Sequence, residues 1–465
     1  MAIPSRDRAA RRRWLSLSAT MAMLGGLSGC ASYHLLPLAG APDLPAALPH
    51  LTVAPAALHL PGVAPYRFDP RRGLGVNGVA ILAVLDNPDL RAYRHRAGVA
   101  RAQLFAAGLL PDPSVALSGA VPTMGPPPLV NAVTAALSYV LKPLITRGPA
   151  LAAARAHVKS VDLDVLWQEW QVAQQARLLF AQVWYEERER ALLRRYRALY
   201  AAAYHRSERA LRQGNTTLTV AGTDLVGLLD ADTRLNTLEQ TLNTAQHKLR
   251  ATIGVAPTLV LPLAHSRDAV LVQPPPQSLI RKAMALLPDH RPDLLALKAG
   301  YGSQEAKLRE AIRAQFPALD LSVNHGRDVS GVYTWGLGIT FGLPIFNRNR
   351  GNIAIQRATR AQLRAEYQAR LDAAFSKVDR FRVQARDIAG ELQRVRAELP
   401  RIERTAKAAE AAFTAHNLPA ATFLSLQTAS LDKQIEALTL ERGLTETAIG
   451  IETLLGEPIG RKATG

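Results

Sequence analysis

The sequence predicts a mainly α protein with a small membrane β part, in which a unit of helix, strand, strand, long helix and returning helix occurs twice. Three observations support this fold class. Residues Tyr333 to Leu343 alternate large apolar with small residues, which is the period of a β-strand. Residues Ala150 to Arg212 contain no proline or glycine, which predicts a helix about 95 Å long. Matching motifs recur in the two halves at offsets of 201 to 206 residues, which indicates a duplication.

The N-terminus has the pattern of an export signal. Arginines precede an apolar run from Trp14 to Leu27, which is too short for a comfortable membrane span. Cys30 follows this run and is the only cysteine, so no internal disulfide can form. A sole cysteine at this place resembles a bacterial lipobox, although a buried structural cysteine is the alternative. The resemblance implies cleavage before Cys30, acylation of its thiol and of the new amine, and delivery to the outer membrane.

The chain is basic, with a formal net charge of +18. Such an excess is typical of proteins that bind nucleic acid or acidic surfaces. Here the arginines are spread through the predicted long helices and form no patch, and export separates the protein from nucleic acid. We therefore interpret them as solvated helix faces and predict no nucleic-acid partner.

The first repeat follows a proline-rich stretch, Ser32 to Gly75, whose prolines exclude a helix and predict an extended tether. Proline and glycine then divide the chain into elements. These are a helix from Val79 to Leu109, strands from Ser114 to Val121 and from Asn131 to Leu141, a turn at Arg147-Gly148-Pro149, a long helix to Arg212, a break at Gln213-Gly214-Asn215, and a returning helix from about Thr223 to Ile253.

The second repeat has the same plan. Its predicted elements are a helix from Gln277 to Arg313, strands from Ala318 to Asn324 and from Tyr333 to Leu343, a long helix from Asn352 to His416, and a returning helix from Ala421 to Leu455. Apolar residues seven apart predict a supercoiling seam along this long helix, namely Leu371, Val378, Ala385, Leu392 and Leu399. Pro400 should kink or weaken the helix locally.

These elements predict a domain plan for the whole chain. The plan has a lipoprotein signal peptide (1–29), a proline-rich tether (30–76), a first repeat (77–257), a linker between the repeats (258–276), a second repeat (277–458) and a C-terminal tail (459–465).

The strands carry a mixed surface that suits a membrane wall. One face is apolar and predicted to meet lipid, through Val133, Leu137, Tyr139, Tyr333, Trp335, Leu337, Ile339 and Phe341, while the small residues between them would face water. Four strands cannot close a barrel, and open strand edges cannot face lipid. Other copies of the chain must therefore complete the barrel, and either a dimer with eight strands or a trimer with twelve would do so.

From about Val79 to Pro458 the chain resembles the TolC-like outer membrane factors, the exit ducts of tripartite efflux pumps and of type I secretion. The resemblance rests on the duplication, on Asn87-Pro88-Asp89-Leu90 and Arg291-Pro292-Asp293-Leu294, and on Leu343-Pro344-Ile345-Phe346-Asn347 before Arg350-Gly351. It implies a homotrimer with a 12-stranded β-barrel in the outer membrane and a long α-helical barrel across the periplasm. The lipobox and the segment Gly108 to Pro113 resemble the lipoprotein and heavy-metal branches, which implies a periplasmic adaptor and a resistance-nodulation-division pump as partners.

The resemblance also implies that the helix breaks near Gly214 and Asn417 form a periplasmic tip. Family members often place aspartates that face the lumen after the break, and Asp224, Asp230 and Asp232 are the candidates in the first repeat. The second repeat has Phe423 to Gln427 at this place, so an acidic gate would come from the first repeat alone. Alternatively, the aspartates only favour the start of a helix, where the helix dipole attracts negative charge.

Sequence motifs for other chemistry are weak. The histidines never fall at metal-ligand spacing and there is no second cysteine, so we predict no metal site and no cofactor. No nucleophile and base can be assembled by spacing, so the protein is not expected to be an enzyme. We interpret Glu186, Glu187 and Glu189 as surface ion pairs, and Trp167, Trp170 and Trp184 as packing between helices.

These expectations converge on a passive trimeric exit duct in the outer membrane. It would carry metal ions or small toxic compounds from an adaptor and an inner-membrane pump to the exterior. Two alternatives remain: a lipid-anchored coiled-coil scaffold or adaptor that spans the periplasm without a pore, and a type I protein secretion duct. The alternation from Tyr333 to Leu343 argues against the scaffold, because a soluble coiled coil has no use for a strand with one apolar face.

Overall fold

The structure is a computed structural model that describes residues 32–47, 73–126, 128–267, 270 and 272–457. The predicted signal, Cys30, most of the predicted tether and the C-terminal tail lie outside the described residues. The chain divides into two units, Met1–Leu44 and Pro45–Gly465. In the first unit the described residues, 32–44, form no helix or strand and are exposed.

The second unit contains eight described helices and four described strands in a repeated order. The first repeat has α1 (Val76–Asp86), α2 (Pro88–Gly108), β1 (Ser114–Ala120), β2 (Ala132–Val140), α3 (Lys142–Arg212) and α4 (Leu218–Ile253). The second has α5 (Gln277–His290), α6 (Pro292–Arg313), β3 (Leu319–Arg327), β4 (Tyr333–Phe341), α7 (Arg350–Thr414) and α8 (Ala420–Leu455). The predicted duplicated unit is confirmed, with the first helix of each repeat divided in two.

The prediction of one continuous helix from Val79 to Leu109 was wrong, as was that of one from Gln277 to Arg313. A proline begins the second helix of each pair and restricts the residue before it to extended backbone. Asn87 has ψ 123°, and its Oδ1 accepts a hydrogen bond from the N–H of Leu90 at 2.9 Å. Arg291 has ψ 119° and ends α5 in the same way.

The predicted turn at Arg147-Gly148-Pro149 is also wrong, because α3 already begins at Lys142 and continues through Pro149. A proline costs a helix one hydrogen bond, and here tertiary contacts offset that loss. Pro149 is buried, and the guanidinium of Arg147 donates to the Gly108 carbonyl at 2.6 and 3.2 Å, which ties the start of α3 to the end of α2. The other predicted boundaries move by a few residues; α4 begins at Leu218 because the Thr217 hydroxyl caps it.

The main hydrophobic core lies where α1, α3 and α4 of the first repeat meet α8 of the second. Phe180, Tyr185, Leu249 and Ile449 are fully buried there. The predicted seam of α7 is confirmed in its centre, since Val378, Ala385 and Leu392 are buried between α7 and α8 or α5. The three tryptophans of α3 are buried between helices as expected. Among the described residues, no helix combines the length and apolar content needed to cross a bilayer.

The four strands form one antiparallel sheet in the order β1-β2-β3-β4, so the hairpins of the two repeats meet between β2 and β3. The register pairs the residues of β3 with β2 on one side and with β4 on the other. All four connections to helices leave from one edge of the sheet, and both hairpin turns lie at the other. We call these the helix edge and the hairpin edge.

Candidate functional site

The sheet has one apolar face. Paired residues of antiparallel strands share a face, and the register places Val115, Leu137, Val323 and Leu337 in one row across all four strands. All four side chains are exposed, Leu337 by 87%. The eight residues predicted to face lipid all lie on this face; Tyr139 is half-buried and the others are exposed. An exposed apolar surface of this kind marks a contact with lipid or with another apolar partner.

The opposite face of the sheet carries small and polar residues. Ser138, Ser322 and Gly338 form one of its rows, and a neighbouring row contains Asn324 and Gly336. A Cβ added at Gly336 would collide with the Asn324 side chain, and one added at Gly338 would collide with the Ser322 hydroxyl. The glycines of β4 therefore make room for polar side chains of β3, so this face carries only small or polar groups that water can solvate.

The outer edges of β1 and β4 have no partner strand in the described part of the chain. Edge strands expose unpaired N–H and carbonyl groups and act as templates for further pairing. Such groups cannot remain open in a lipid environment. In a lipid environment the sheet would consequently need further strands at both outer edges.

The two breaks between long and returning helices lie at one end of the helical part. Gly214 lies two residues after the end of α3 with φ +73°, and a Cβ added there would have no other heavy atom within 4 Å. In the second break the left-handed residue is His416, with φ 60°, while Asn417 is the exposed residue after it. The Phe413 ring stacks on Phe423 across this break at 4.4 Å, and Arg206 of α3 lies over Phe413 at 5.4 Å.

The predicted gate aspartates differ in their surroundings. Asp232 accepts a hydrogen bond from Arg197 of α3 at 2.5 Å, and Asp230 pairs with Arg234 one turn further along α4 at 2.8 Å. Asp224 takes part in none of the ion pairs among the described residues and is half-buried. Gln427 points back to α7, where its amide donates to the Ala406 carbonyl at 2.8 Å. The structure thus leaves Asp224 as the candidate whose charge no neighbouring cation offsets.

An acidic residue of the second repeat was missed. Asp432 of α8 lies 3.9 Å from Arg234, so this arginine stands between Asp230 of one repeat and Asp432 of the other. Burial raises the pKa of Asp432, Arg234 lowers it, and Asp230 raises it further. The sequence did contain a signal for it: Asp432 lies 202 residues after Asp230, which is within the range of offsets between matching motifs of the two repeats. Asp432 lies beyond the segment Phe423 to Gln427, and the expectation that an acidic gate would come from the first repeat alone stays a prediction.

The long helices also contain buried charges that the sequence did not reveal. Arg177 of α3 and Glu452 of α8 form an ion pair at 2.5 Å, with side chains exposed by 6% and 3%. Glu186 is buried as well, so its interpretation as a surface residue was wrong. Its Oε1 accepts a hydrogen bond from Gln182 at 2.9 Å and lies 3.5 Å from Arg442 of α8. Both arginine contacts join the two repeats.

Glu189 and Glu446 are two further carboxylates that interact with Arg442 and with Glu186. Burial raises the pKa of Glu189, which Arg442 lowers and Glu186 raises, and the same three causes act in the same order on Glu446. Within the described residues, no group of His, Cys, Asp and Glu side chains could hold a metal ion. The cluster therefore consists of carboxylates around the guanidinium of Arg442.

Comparison with known proteins supplies a family domain. Residues 285–457 match the family model described as outer membrane efflux protein. This range holds almost all of the second repeat. No curated protein sequence matches the chain significantly.

Solved structures supply the fold of most of the chain. A membrane protein from Pseudomonas aeruginosa superposes with a TM-score of 0.69 at 18% identity, covering 87% of this chain and 97% of that one. CusC, a transmembrane channel, gives 0.66 at 16% identity, with 86% and 99% covered. The open state of the MtrE outer membrane channel of Neisseria gonorrhoeae gives 0.66 at 15% identity, with 91% and 98% covered. At these identities the likeness establishes the fold.

Proposed function

We propose that the chain is a TolC-like outer membrane factor and the passive exit duct of a tripartite efflux system. The match of residues 285–457 to the outer membrane efflux protein model and the similarity of its fold to solved channels support this proposal. In this role it is an outer-membrane protein and not an enzyme. Three copies would form a twelve-stranded barrel and a helical barrel, through which metal ions or small toxic compounds leave the cell.

One observation carries the proposal: a four-stranded sheet with an apolar face, a small polar face and two open edges. A barrel made of such sheets has an outside that lipid can cover and an inside that water can fill. Three copies give twelve strands and leave no free edge. The long helices follow the sheet directly at the helix edge, so the lumen would continue between them.

Conductance of the purified protein tests this function. Reconstituted into planar bilayers, it should give discrete conductance steps, and in detergent it should run on gels as a trimer that heating dissociates. A protein that stays monomeric, or that fractionates with the inner membrane, would refute the duct and favour the periplasm-spanning scaffold without a pore.

The tip contains the proposed gate. We expect Gly214 and Asn417 to mark the end that meets a periplasmic adaptor, with Asp224, Asp230, Asp232 and Gln427 near the lumen. Among these, Asp224 should set ion preference, since Arg197 and Arg234 offset the charges of the other two aspartates. Asp224→Asn should reduce the cation preference of the open channel in salt-gradient reversal potentials. Asp232→Asn is the matched control and should change it less, because that charge is already paired.

Cys30 is the proposed point of lipid attachment, after removal of residues 1–29. Cells fed labelled palmitate should label the wild-type protein, and Cys30→Ala should abolish the label. The barrel anchors itself, so we expect the Cys30→Ala protein to reach the outer membrane when it is exported with a signal peptide that is cleaved without lipidation. A label that persists in Cys30→Ala would contradict this assignment.

The cargo and the partners follow from the same proposal. An inner-membrane pump of the resistance-nodulation-division type and a periplasmic adaptor would drive transport. Deletion of the chain should then sensitise cells to metal ions or to small toxic compounds, whereas loss of a secreted protein from the medium would favour a type I secretion duct. Co-purification after cross-linking through the tip would identify the adaptor.

A further inference from the structure

The hairpin edge of the sheet carries a basic residue on the apolar face. Arg327 is the last residue of β3 and pairs in register with Tyr333, the first of β4, while His325 pairs with Trp335. All four side chains thus lie on the face that is otherwise aliphatic and aromatic. We call this group, Arg327, His325, Tyr333 and Trp335, the interfacial cluster.

Aromatic stacking organises the interfacial cluster. The His325 ring lies 4.4 Å from the Trp335 ring and 6.0 Å from that of Tyr333, in both cases nearly parallel. Its Nδ1 is 3.1 Å from the Thr334 carbonyl oxygen and donates to it. Arg327 Nη2 donates to the carbonyl of Asn131 at 3.0 Å. The guanidinium is therefore held at the start of β2, on the same face as the aromatic rings of β4, and most of its five N–H donors stay available.

No carboxylate of the described residues neutralises Arg327. The adjacent Asp328 is used by the hairpin turn, where its Oδ1 accepts from the N–H groups of Ser330 and Val332 at 2.9 and 3.0 Å. Asp320 is the only acidic residue in the four strands, and it lies on the opposite face near the helix edge. Within the described part of the chain, the charge of Arg327 is thus open to a counter-ion from the surroundings.

Depth in the membrane indicates the source of that counter-ion. The nine residues of β3 span about 27 Å, or roughly 20 Å of membrane depth at the tilt usual for such barrels. With Val323 near the middle, Arg327 lies close to the boundary between acyl chains and headgroups. Trp and Tyr are enriched at that boundary, where cationic side chains meet lipid phosphates.

We propose that the interfacial cluster is a binding site for the phosphate of an anionic lipid in the leaflet at the hairpin edge. Arg327 pairs with the phosphate, while Trp335 and Tyr333 contact the upper acyl chains and the glycerol region. The proposal rests on the proposed function, which places this sheet in a bilayer with its helices in the periplasm. The site therefore selects lipid in the leaflet that faces the exterior.

Quenching of Trp335 fluorescence by brominated lipids tests this site. Protein in phosphatidylcholine nanodiscs would receive dibrominated phosphatidylglycerol or dibrominated phosphatidylcholine at equal mole fraction. The Trp335 signal is the difference between the wild type and Trp335→Phe. One arginine near a membrane surface favours an anionic lipid by about fivefold, and this is the preference that we expect in wild type.

Variants separate the charge from the fold. Arg327→Gln should bring the preference close to one, and Arg327→Lys should retain part of it. Arg350→Gln is the matched control, because Arg350 is exposed at the helix edge and belongs to the other leaflet; its preference at Trp335 should equal that of wild type. Equal quenching of wild type by both lipids would overturn the site and leave the duct intact. No quenching of Trp335 by either lipid would overturn both, because the sheet would then not face lipid.

Discussion

At the scale of single residues, the helical part contains charged side chains that are buried where the two repeats contact each other. Arg177 and Glu452 are the clearest case, because both side chains are almost fully buried. Two guanidinium nitrogens of Arg177, Nε and Nη2, have no hydrogen-bond partner among the described atoms. Such a pair contributes little net stability compared with apolar packing, yet removal of one partner leaves a buried charge without compensation.

Arg177→Met should therefore destabilise the protein by about 3–5 kcal/mol. The double variant Arg177→Met with Glu452→Met should be clearly more stable than the single variant, since neither charge remains. Denaturant unfolding followed by circular dichroism in detergent would measure both. If the losses of the two single variants simply added in the double variant, the two side chains would not act as a pair.

The carboxylates around Arg442 predict a dependence of stability on pH. The folded protein raises the pKa of Glu189 and Glu446, so it holds their protons more tightly than the unfolded chain does. Their contribution to stability is thus fully present below the ordinary pKa of 4.5 and is lost as the pH rises through the folded pKa. Glu189→Gln with Glu446→Gln should flatten the fall in melting temperature above about pH 4.5. Glu391→Gln, at an exposed position of α7, should leave the profile unchanged, and an unflattened profile in the double variant would refute the assignment.

At the scale of elements, each strand is defined by the difference between its two faces. Leu137 and Ala136 are neighbours in β2 at nearly the same depth, but Leu137 shares its row with Val323 and Leu337, while Ala136 shares its row with Asn324 and Gly336. The same added charge should therefore have different effects at these two positions.

Leu137→Lys should block or weaken assembly into the membrane, since a lysine in the middle of the lipid face costs about 2–4 kcal/mol. Ala136→Lys is the control in the same strand and should assemble, because its ammonium would enter the wet lumen. Fractionation of membranes and heat-modifiable mobility on gels would measure assembly. Equal assembly of both variants would mean that the two faces do not meet different solvents.

The ends of the returning helices offer a second matched pair. Gly254 ends α4 with φ 82°, and Gly456 ends α8 with φ 76°. Alanine in this left-handed conformation costs about 1 kcal/mol at either position. At Gly254 the added Cβ would in addition press against the backbone of Asp86, with the Asp86 carbonyl carbon at 3.0 Å, whereas at Gly456 the nearest atom is Pro292 Cδ at 3.2 Å.

We therefore expect Gly254→Ala to lower the thermal unfolding midpoint more than Gly456→Ala does. Both variants share the strain of the left-handed backbone, so the difference between them measures the contact with Asp86. A larger effect at Gly456 would show that the end of α1 yields readily to the new methyl group.

At the scale of the whole molecule, the two repeats contact each other in the sheet and again near the helix breaks. The β2–β3 pairing joins them in the sheet, and Arg234 stands between Asp230 and Asp432 near the tip. Arg234 also lies over the Tyr196 ring at 5.5 Å. The exposed ion pairs of the tip are weak individually, so they can be released without loss of the fold.

Arg234→Gln should raise the fraction of time that the channel is open. An exposed ion pair contributes about 0.2–1 kcal/mol, which limits the increase to about fivefold. Single-channel recordings would measure it, and Lys248→Gln, at an exposed position of the same helix, is the control that should behave as wild type. An unchanged open fraction in Arg234→Gln would exclude this residue from the gate.

Most of the fold follows from local patterns that are visible in the printed sequence. Strand alternation and long runs without proline or glycine predicted the individual elements, because helix and strand formation depends on neighbours within a few turns or a few strand residues. The repeated motifs then predicted the order of the elements. Asn87-Pro88 and Arg291-Pro292 were visible too, and the breaks that they impose on α1–α2 and α5–α6 were nevertheless missed.

The sequence by itself determined the two faces of each strand, the breaks between the long and the returning helices, and the duplication, since periodicity is a property of the chain alone. The tertiary structure decided which charges are buried and which residues meet across the repeats. Glu186 lies seven residues after Leu179 and seven before Leu193, yet nothing local shows that this position faces Arg442. Asp432 became a candidate for the tip only through its contact with Arg234, which lies 198 residues earlier in the chain. Contacts at such separation depend on how the long helices pack together, and packing is a property of the folded chain as a whole.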